Sequence, residues 1–384
     1  MENKKENKTN RGLCFIKALQ IISFLLLIFI PTGIQIFSAD KNYSTQEKRE
    51  LAKKPKLTAT TLLEGDFQDN YETYLSDQFP ARNAWITVKT EAEYLLGKRE
   101  MNGVYFGKDN YLMEKYDSSD FSWKRVKKNL QKTSDFVKNN INTKVMFVPT
   151  KSRIMADKLP LFAEGDAEAR FYKLASEYLP KEQTIQIENI LKKHTDEYIY
   201  YRTDHHWTML GAYYAYVAWA EQMGFEPLSQ EAFKVKEGCN DFYGTTYAKV
   251  NTRGKADTIS LYETKDDFGY TLDYNMGEFK SESFYDESKL DSDDKYEVFF
   301  GGNQPLVEIT NNTDSDKTLL IIKDSFGNCF APFAANHYKK TIVVDMRYVN
   351  IAPSKLAQAY QADDILILYN SAQYMNDRNV GKLG

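Results

Sequence analysis

The sequence predicts an α/β fold built on a parallel sheet. Three observations carry that expectation. The apolar runs Thr318 to Ile322, Thr341 to Asp345 and Asp364 to Tyr369 start 23 residues apart with helix-compatible stretches between them, the spacing of parallel strands joined by crossover helices. A further apolar strand, Lys144 to Val148, follows a helix pattern over Phe121 to Asn139. The composition, 42% apolar and 27% charged over 384 residues, supplies an ample core and excludes a disordered chain.

Taken in order, the chain opens on a basic tail, residues 1–17, with five basic against two acidic side chains. Ala18 to Phe37 is then 20 residues without a charge, enough to cross a bilayer core. A net +3 before the span keeps the tail in the cytoplasm and puts the rest of the chain outside. Phe37 occupies the −3 position relative to Ala39, where cleavage needs a small residue, and no lipobox-like cysteine follows. An uncleaved signal anchor is therefore expected over a cleaved signal peptide. The overall charge of −4 leaves −7 for the outer part, which argues against nucleic acid as a partner.

Residues 38–61 are polar and lysine-rich and read as a juxtamembrane tether. From residue 62 to 384 the reading is one catalytic domain. Helix-like runs at Gly65 to Phe79 and Asn83 to Leu96 flank Pro80, and Val104 to Met113 reads as a hairpin around Gly107-Lys108-Asp109-Asn110. Lys144 to Val148 ends in Pro149-Thr150-Lys151-Ser152-Arg153, either an ordinary loop or a rim for an anionic or sugar-bearing ligand. Tyr198 to Tyr201 is strand-like, and Thr208 is placed to cap a helix from Met209 to Met223 that Gly224 and Pro227 end. Residues 225–317 read as an insertion of irregular or antiparallel structure. Cys14 sits at the membrane, and whether Cys239 and Cys329 pair is open.

Chemistry is expected at Arg202-Thr203-Asp204-His205-His206-Trp207, which holds two of the four histidines. In an extended segment Asp204 and His206 share a face, so the carboxylate can fix the tautomer of the imidazole while His205 points away. The nucleophile such a pair needs is Ser325, in Lys323-Asp324-Ser325-Phe326-Gly327-Asn328 at the carboxyl end of a predicted parallel strand, where ligands bind in such sheets. The backbone N–H groups of Phe326 and Gly327 are candidate oxyanion donors, with Arg347, Tyr369 or Asn370 as a further one. The dull alternative makes Asp204, His206 and Ser325 capping or hydrogen-bonding residues. A metal site is not expected, because His194 and His337 have no motif spacing, and neither is a cofactor. Trp207 and the Tyr213, Tyr214, Tyr216, Trp219 run read as core rather than sugar platforms.

Asp204-His205-His206-Trp207 resembles the motif that names the DHHW protein family, bacterial membrane-anchored proteins similar to the alginate O-acetyltransferases of the SGNH-hydrolase superfamily. The resemblance extends through Gln46-Glu47-Lys48-Arg49-Glu50-Leu51, Asp77-Gln78-Phe79-Pro80-Ala81-Arg82, Val148 to Arg153, Lys323 to Asn328 and Asp345-Met346-Arg347-Tyr348. It implies an SGNH-hydrolase-like, flavodoxin-like parallel sheet flanked by helices, with Ser325, His206 and Asp204 as the catalytic set. Arg347 is similar to an active-site arginine there, and Tyr369 or Asn370 takes the place of a later polar residue. By resemblance the reaction is acetyl transfer to an exopolysaccharide or cell-wall glycan, with a multi-pass membrane O-acyltransferase as partner. A carbohydrate esterase with the same residues and a non-catalytic glycan-binding or assembly subunit remain alternatives, as does His205 for His206 as the base.

Overall fold

The computed structural model describes residues 2–383 apart from Lys48, Glu64, Gly65 and Glu164, with side chains from residue 15 onward except at 59 and 63. Lys48 of the tether motif and Gly65, expected to open a helix, therefore lie outside the described residues, as do the side chains of the basic tail through Cys14. The chain divides into two compact units, Met1–Glu93 and Tyr94–Gly384.

In the first unit a single helix runs Glu2–Phe37, and its portion Phe15–Phe37 is 23 residues of mean hydropathy 2.1, long and apolar enough to cross a membrane. The stretch expected as a tether is folded over its first part. Tyr43–Ser44 pairs antiparallel with Arg49–Glu50. Arg49 donates to both oxygens of the Asp77 carboxylate at 2.8 and 2.5 Å, and the Ala52 N–H donates to Asp77 at 2.8 Å. Gln78 accepts from the Lys41 N–H and donates to the Lys41 carbonyl, both at 2.9 Å. Lysine content suggested a flexible segment; an acidic and an amide side chain at the end of helix Asp66–Asp77 supply the bonds that order it.

The second unit is organised by a seven-stranded mixed sheet. Its spatial order is Phe279–Ser281, Thr271–Tyr274, Leu306–Thr310, Lys340–Asp345, Thr318–Lys323, Asp364–Asn370 and Thr143–Val148. The last four are parallel to one another, with Ile322 opposite both Val344 and Ile367 and Tyr369 opposite Phe147. Helices Gly327–Ala334 and Pro353–Ala359 make the two crossovers. Both faces are buried. Leu319 and Ile321 join one core with Tyr216, Trp219, Phe330 and Phe333, while Leu320 and Ile322 join the other with Val126, Leu130, Phe147 and Phe171. That explains why these strands read as unbroken apolar runs rather than alternating ones.

The 225–317 stretch is irregular and antiparallel, as expected, but only part of it stands apart from the main sheet. Phe233–Phe242 and Asp257–Thr264 do form a separate antiparallel pair, but Thr271–Tyr274, Phe279–Ser281 and Leu306–Thr310 extend the main sheet as its antiparallel edge. Tyr198 to Tyr201 is not a strand; one bridge, Tyr200 to Trp207, closes the loop it enters. The hairpin Val104–Phe106 with Leu112–Glu114 and the helix Met209–Met223 stand as expected, the helix capped by Thr208 Oγ1 on the Gly211 N–H and ended by Gly224 at φ 80°.

Candidate active site

Ser325 follows the central parallel strand and precedes helix Gly327–Ala334. Asp324 shapes this elbow. Its Oδ1 accepts from the Phe326 N–H at 2.9 Å and its Oδ2 from the Asn370 N–H at 2.8 Å, which ties the turn to the neighbouring strand. Burial pushes the Asp324 carboxyl up to about 6 against these two bonds. The Gly327 N–H donates to the Asp324 carbonyl at 3.1 Å. Both N–H groups expected as oxyanion donors are thus consumed by the turn itself, whereas the Ser325 N–H has no acceptor among the described residues.

The Asp204 loop reaches Ser325 from 119 positions upstream in the chain. Asp204 Oδ1 accepts from the His206 backbone N–H at 2.9 Å and from His206 Nδ1 at 2.6 Å. His206 Nε2 lies 2.7 Å from Ser325 Oγ. Because a carboxylate only accepts, Nδ1 carries the hydrogen and Nε2 turns its lone pair to the serine hydroxyl. All three residues are buried, Ser325 keeping 7% of its surface exposed. Asp204 and His206 meet through a bend in which the carboxylate caps the next N–H, not through the alternation of an extended strand. For the same reason His205 does not point away: its ring lies 3.9 Å from that of His206, and its Nδ1 is 2.6 Å from Thr245 Oγ1.

Three residues without a sequence signal hold the loop. Lys151 Nζ, buried, donates to the carbonyls of Tyr201, Arg202 and Asp204 at 2.8, 3.2 and 2.7 Å. The segment Thr150 to Ser152 is therefore an internal brace at Lys151. Asp257 accepts from the N–H groups of Arg202 and Thr203 at 2.6 and 2.7 Å, from the Thr203 hydroxyl at 2.5 Å and from the Tyr198 hydroxyl. Tyr296 stacks on the His206 ring at 3.9 Å and 8° and donates to the Ser325 carbonyl at 3.2 Å. Gly244 permits the approach of the next chain segment, since a Cβ there would lie 2.2 Å from Asp204 Cβ.

Lys151→Met, nearly isosteric, removes three charge-assisted bonds and leaves the loop carbonyls buried without a donor. It is expected to lower unfolding free energy by about 3 kcal/mol or more in a urea titration. A loss below about 1 kcal/mol would show that the loop does not depend on the brace.

The remaining expected donors are elsewhere. Arg347 Nε and Nη2 are spent on Asp345 at 2.9 and 2.6 Å. Tyr369 is buried with Ile365 and Ile367 in the core behind the sheet. Asn370 reaches the site region but caps helix Ser371–Asn376, its amide oxygen accepting from Ala372 and Gln373 and its amide nitrogen donating to the Val148 carbonyl. Trp207 and Trp219 are fully buried, and Trp207 Nε1 donates to the Phe326 carbonyl at 3.1 Å, tying the two halves of the site together. His337 is 2.7 Å from the Tyr216 hydroxyl, and His194 stacks on Tyr214. Cys239 and Cys329 are unpaired thiols.

Asp204, His205 and His206 bring ligand atoms within 4.8 Å of one another, as a metal site would. Hydrogen bonds already engage both His206 nitrogens and both Asp204 oxygens, the second Asp204 oxygen accepting from the N–H and hydroxyl of Thr245 at 2.8 and 3.0 Å. A metal would have to displace these bonds.

Burial, then the adjoining His205, pushes His206 down to about 4 against the opposing pull of Asp204. A base must be neutral to take a proton, so activity should be present above that value and lost as pH falls through it. The acid limb of a pH–rate profile is expected near pH 4. A limb at the ordinary imidazole value would show that Asp204 outweighs burial.

The family model of the DHHW proteins matches residues 176–344. That span contains the Asp204 loop, the serine strand and Ser325. Over that span the chain is similar to the DHHW proteins. A DHHW family protein from Eubacterium siraeum is 24% identical, with TM-score 0.61 over 74% of this chain and 95% of that one. Bacillus cereus PatB1, solved with a sulfonyl adduct, is 19% identical with TM-score 0.61 over 72% and 96%; without the adduct the TM-score is 0.59. No curated protein matches the sequence. The fold is SGNH-hydrolase-like, shared with these DHHW and PatB1 structures.

Proposed function

We propose that the chain is a membrane-anchored O-acetyltransferase that works outside the cytoplasm on an exopolysaccharide or cell-wall glycan through an acyl-enzyme at Ser325. The observation that carries this reading is the unbroken line from Asp204 Oδ1 through His206 to Ser325 Oγ, at 2.6 and 2.7 Å. In the first step His206 Nε2 takes the hydroxyl proton as Ser325 Oγ attacks the acyl carbonyl, and the leaving group departs with that proton. The Ser325 N–H is the backbone donor left open to the developing oxyanion. In the second step a sugar hydroxyl gives its proton to Nε2 and attacks the acyl-enzyme, and the proton returns to Ser325 Oγ.

The apolar helix Phe15–Phe37 and the basic tail before it support a membrane anchor with the catalytic unit outside. An acetyl donor made in the cytoplasm must then cross the membrane, which is the part a multi-pass O-acyltransferase partner would play. The test is mass spectrometry of the full chain in detergent after treatment with p-nitrophenyl acetate or a sulfonyl fluoride, the latter suggested by the PatB1 adduct. The expected result is one adduct, on Ser325, with the acetyl form discharged faster by oligosaccharide than by water. Discharge by water alone would make the protein an esterase, and a folded protein that takes no adduct would make it a non-catalytic subunit.

A further inference from the structure

His205 is left unused by the proton path through His206, and its hydrogen bonds define what it can take. The Thr245 hydroxyl has one hydrogen, and it goes to Asp204 Oδ2 at 3.0 Å because a carboxylate only accepts. The same oxygen lies 2.6 Å from His205 Nδ1, so Nδ1 is the donor there. In the neutral ring Nε2 then carries the lone pair. That nitrogen is buried and has no hydrogen-bond partner among the described residues.

Nε2 belongs to a residue lining a recess of about 10 Å³, room for one water-sized group. The other polar side chains around it are occupied. Tyr116 and Lys249 donate to the Glu114 carboxylate, Thr150 Oγ1 donates to Glu168, and Ser152 Oγ donates to the Glu114 carbonyl at 2.6 Å. Lys151 has spent its three hydrogens on the loop carbonyls, and both ends of the Asn370 amide are engaged. Thr150 and Asn370 stand at the carboxyl ends of two neighbouring parallel strands, where ligands bind in such sheets.

We infer that His205 Nε2 accepts a hydrogen bond from a second hydroxyl of the acyl acceptor, a polyhydroxylated saccharide, and so orients the attacking hydroxyl. The inference rests on the acyl-transfer reading above. An alcohol with one hydroxyl has nothing left for Nε2 once that hydroxyl attacks; a saccharide has. Room for one water-sized group fits a hydroxyl.

Two measurements on the full chain in detergent test it. In the first, acyl-enzyme formed from p-nitrophenyl acetate is discharged by cellotetraose, by N-acetylchitotetraose, or by ethanol as the one-hydroxyl control. In His205→Phe, which keeps a ring against His206, the preference for the better saccharide over ethanol should fall about tenfold, the upper worth of one neutral hydrogen bond. His205→Gln, which offers an amide oxygen, should recover part of it. In the second, the histidine nitrogens of Ser325→Ala are followed by ¹⁵N NMR, and the saccharide should move the His205 Nε2 resonance upfield from its bare-acceptor position. A wild-type protein that takes no acyl group would sink the acyl-transfer reading, while the nitrogen shift would still decide the hydrogen bond. An unchanged preference in His205→Phe, or an Nε2 resonance that neither saccharide moves, overturns the assignment.

Discussion

Ser325→Ala is expected to slow release of p-nitrophenol from p-nitrophenyl acetate by roughly 10⁵–10⁶-fold and to abolish the acyl adduct. The variant removes the atom that forms the covalent bond and nothing else of size. Its carbonyl still accepts from the Tyr296 hydroxyl and the Asn328 N–H, both at 3.2 Å, so the elbow should persist. The lost hydroxyl leaves His206 Nε2 without a partner, a cost of about 1–3 kcal/mol, which a large core on both sheet faces can absorb. Near-UV circular dichroism should confirm that the aromatic surroundings of the site are intact. Turnover above about 1% of wild type in a folded variant would mean that the chemistry runs without an acyl-enzyme at Ser325.

Much of this arrangement is legible in the sequence for physical reasons. Strands buried on both faces must be apolar without interruption, so Thr318–Lys323, Lys340–Asp345 and Asp364–Asn370 announce themselves, and their even spacing announces the crossovers. A serine after such a strand and an Asp-x-His elsewhere are the few groups able to do acyl chemistry in a chain with four histidines. The site could be guessed from scarcity.

What stayed hidden depends on contacts between distant segments or on the fine geometry of turns. Lys151 and Asp257 brace the loop from 50 to 55 positions away, and a lone lysine or aspartate advertises no such role. Tyr296 reaches His206 from a stretch with no periodicity at all. The oxyanion expectation for Phe326 and Gly327 failed because Asp324 takes the Phe326 N–H with its side chain, a competition that Asp brings to any turn, and the Gly327 N–H with its carbonyl. Tyr369 was misplaced by parity: it shares a face with Ile365 and Ile367, so it enters the core behind the sheet. The edge strands Thr271–Tyr274 and Phe279–Ser281 were unreadable as sheet because they are short and only partly buried.

Asp204→Asn should keep the fold and lower turnover by about 10⁴-fold, as in other triads that lose tautomer control. The geometry leaves asparagine no good choice. Asp204 presents acceptors on both sides, to the N–H and Nδ1 of His206 and to the N–H and hydroxyl of Thr245. An amide has one acceptor oxygen. If that oxygen faces His206, the amide hydrogens collide with the Thr245 N–H; if it faces Thr245, they meet His206 Nδ1. Nδ1 must then accept, which moves the ring hydrogen to Nε2 and leaves no lone pair for the serine proton. Thr245→Val separates the two effects, since it spares His206 Nδ1 and costs Asp204 Oδ2 one hydroxyl and His205 Nδ1 its acceptor. It should lose far less turnover than Asp204→Asn. Adding Ser325→Ala to Asp204→Asn should cost nothing beyond Ser325→Ala alone, because residues that act as one unit do not add. Near-normal turnover in Asp204→Asn, or a further loss in the double variant, would remove Asp204 from the proton path and leave it a loop-capping residue.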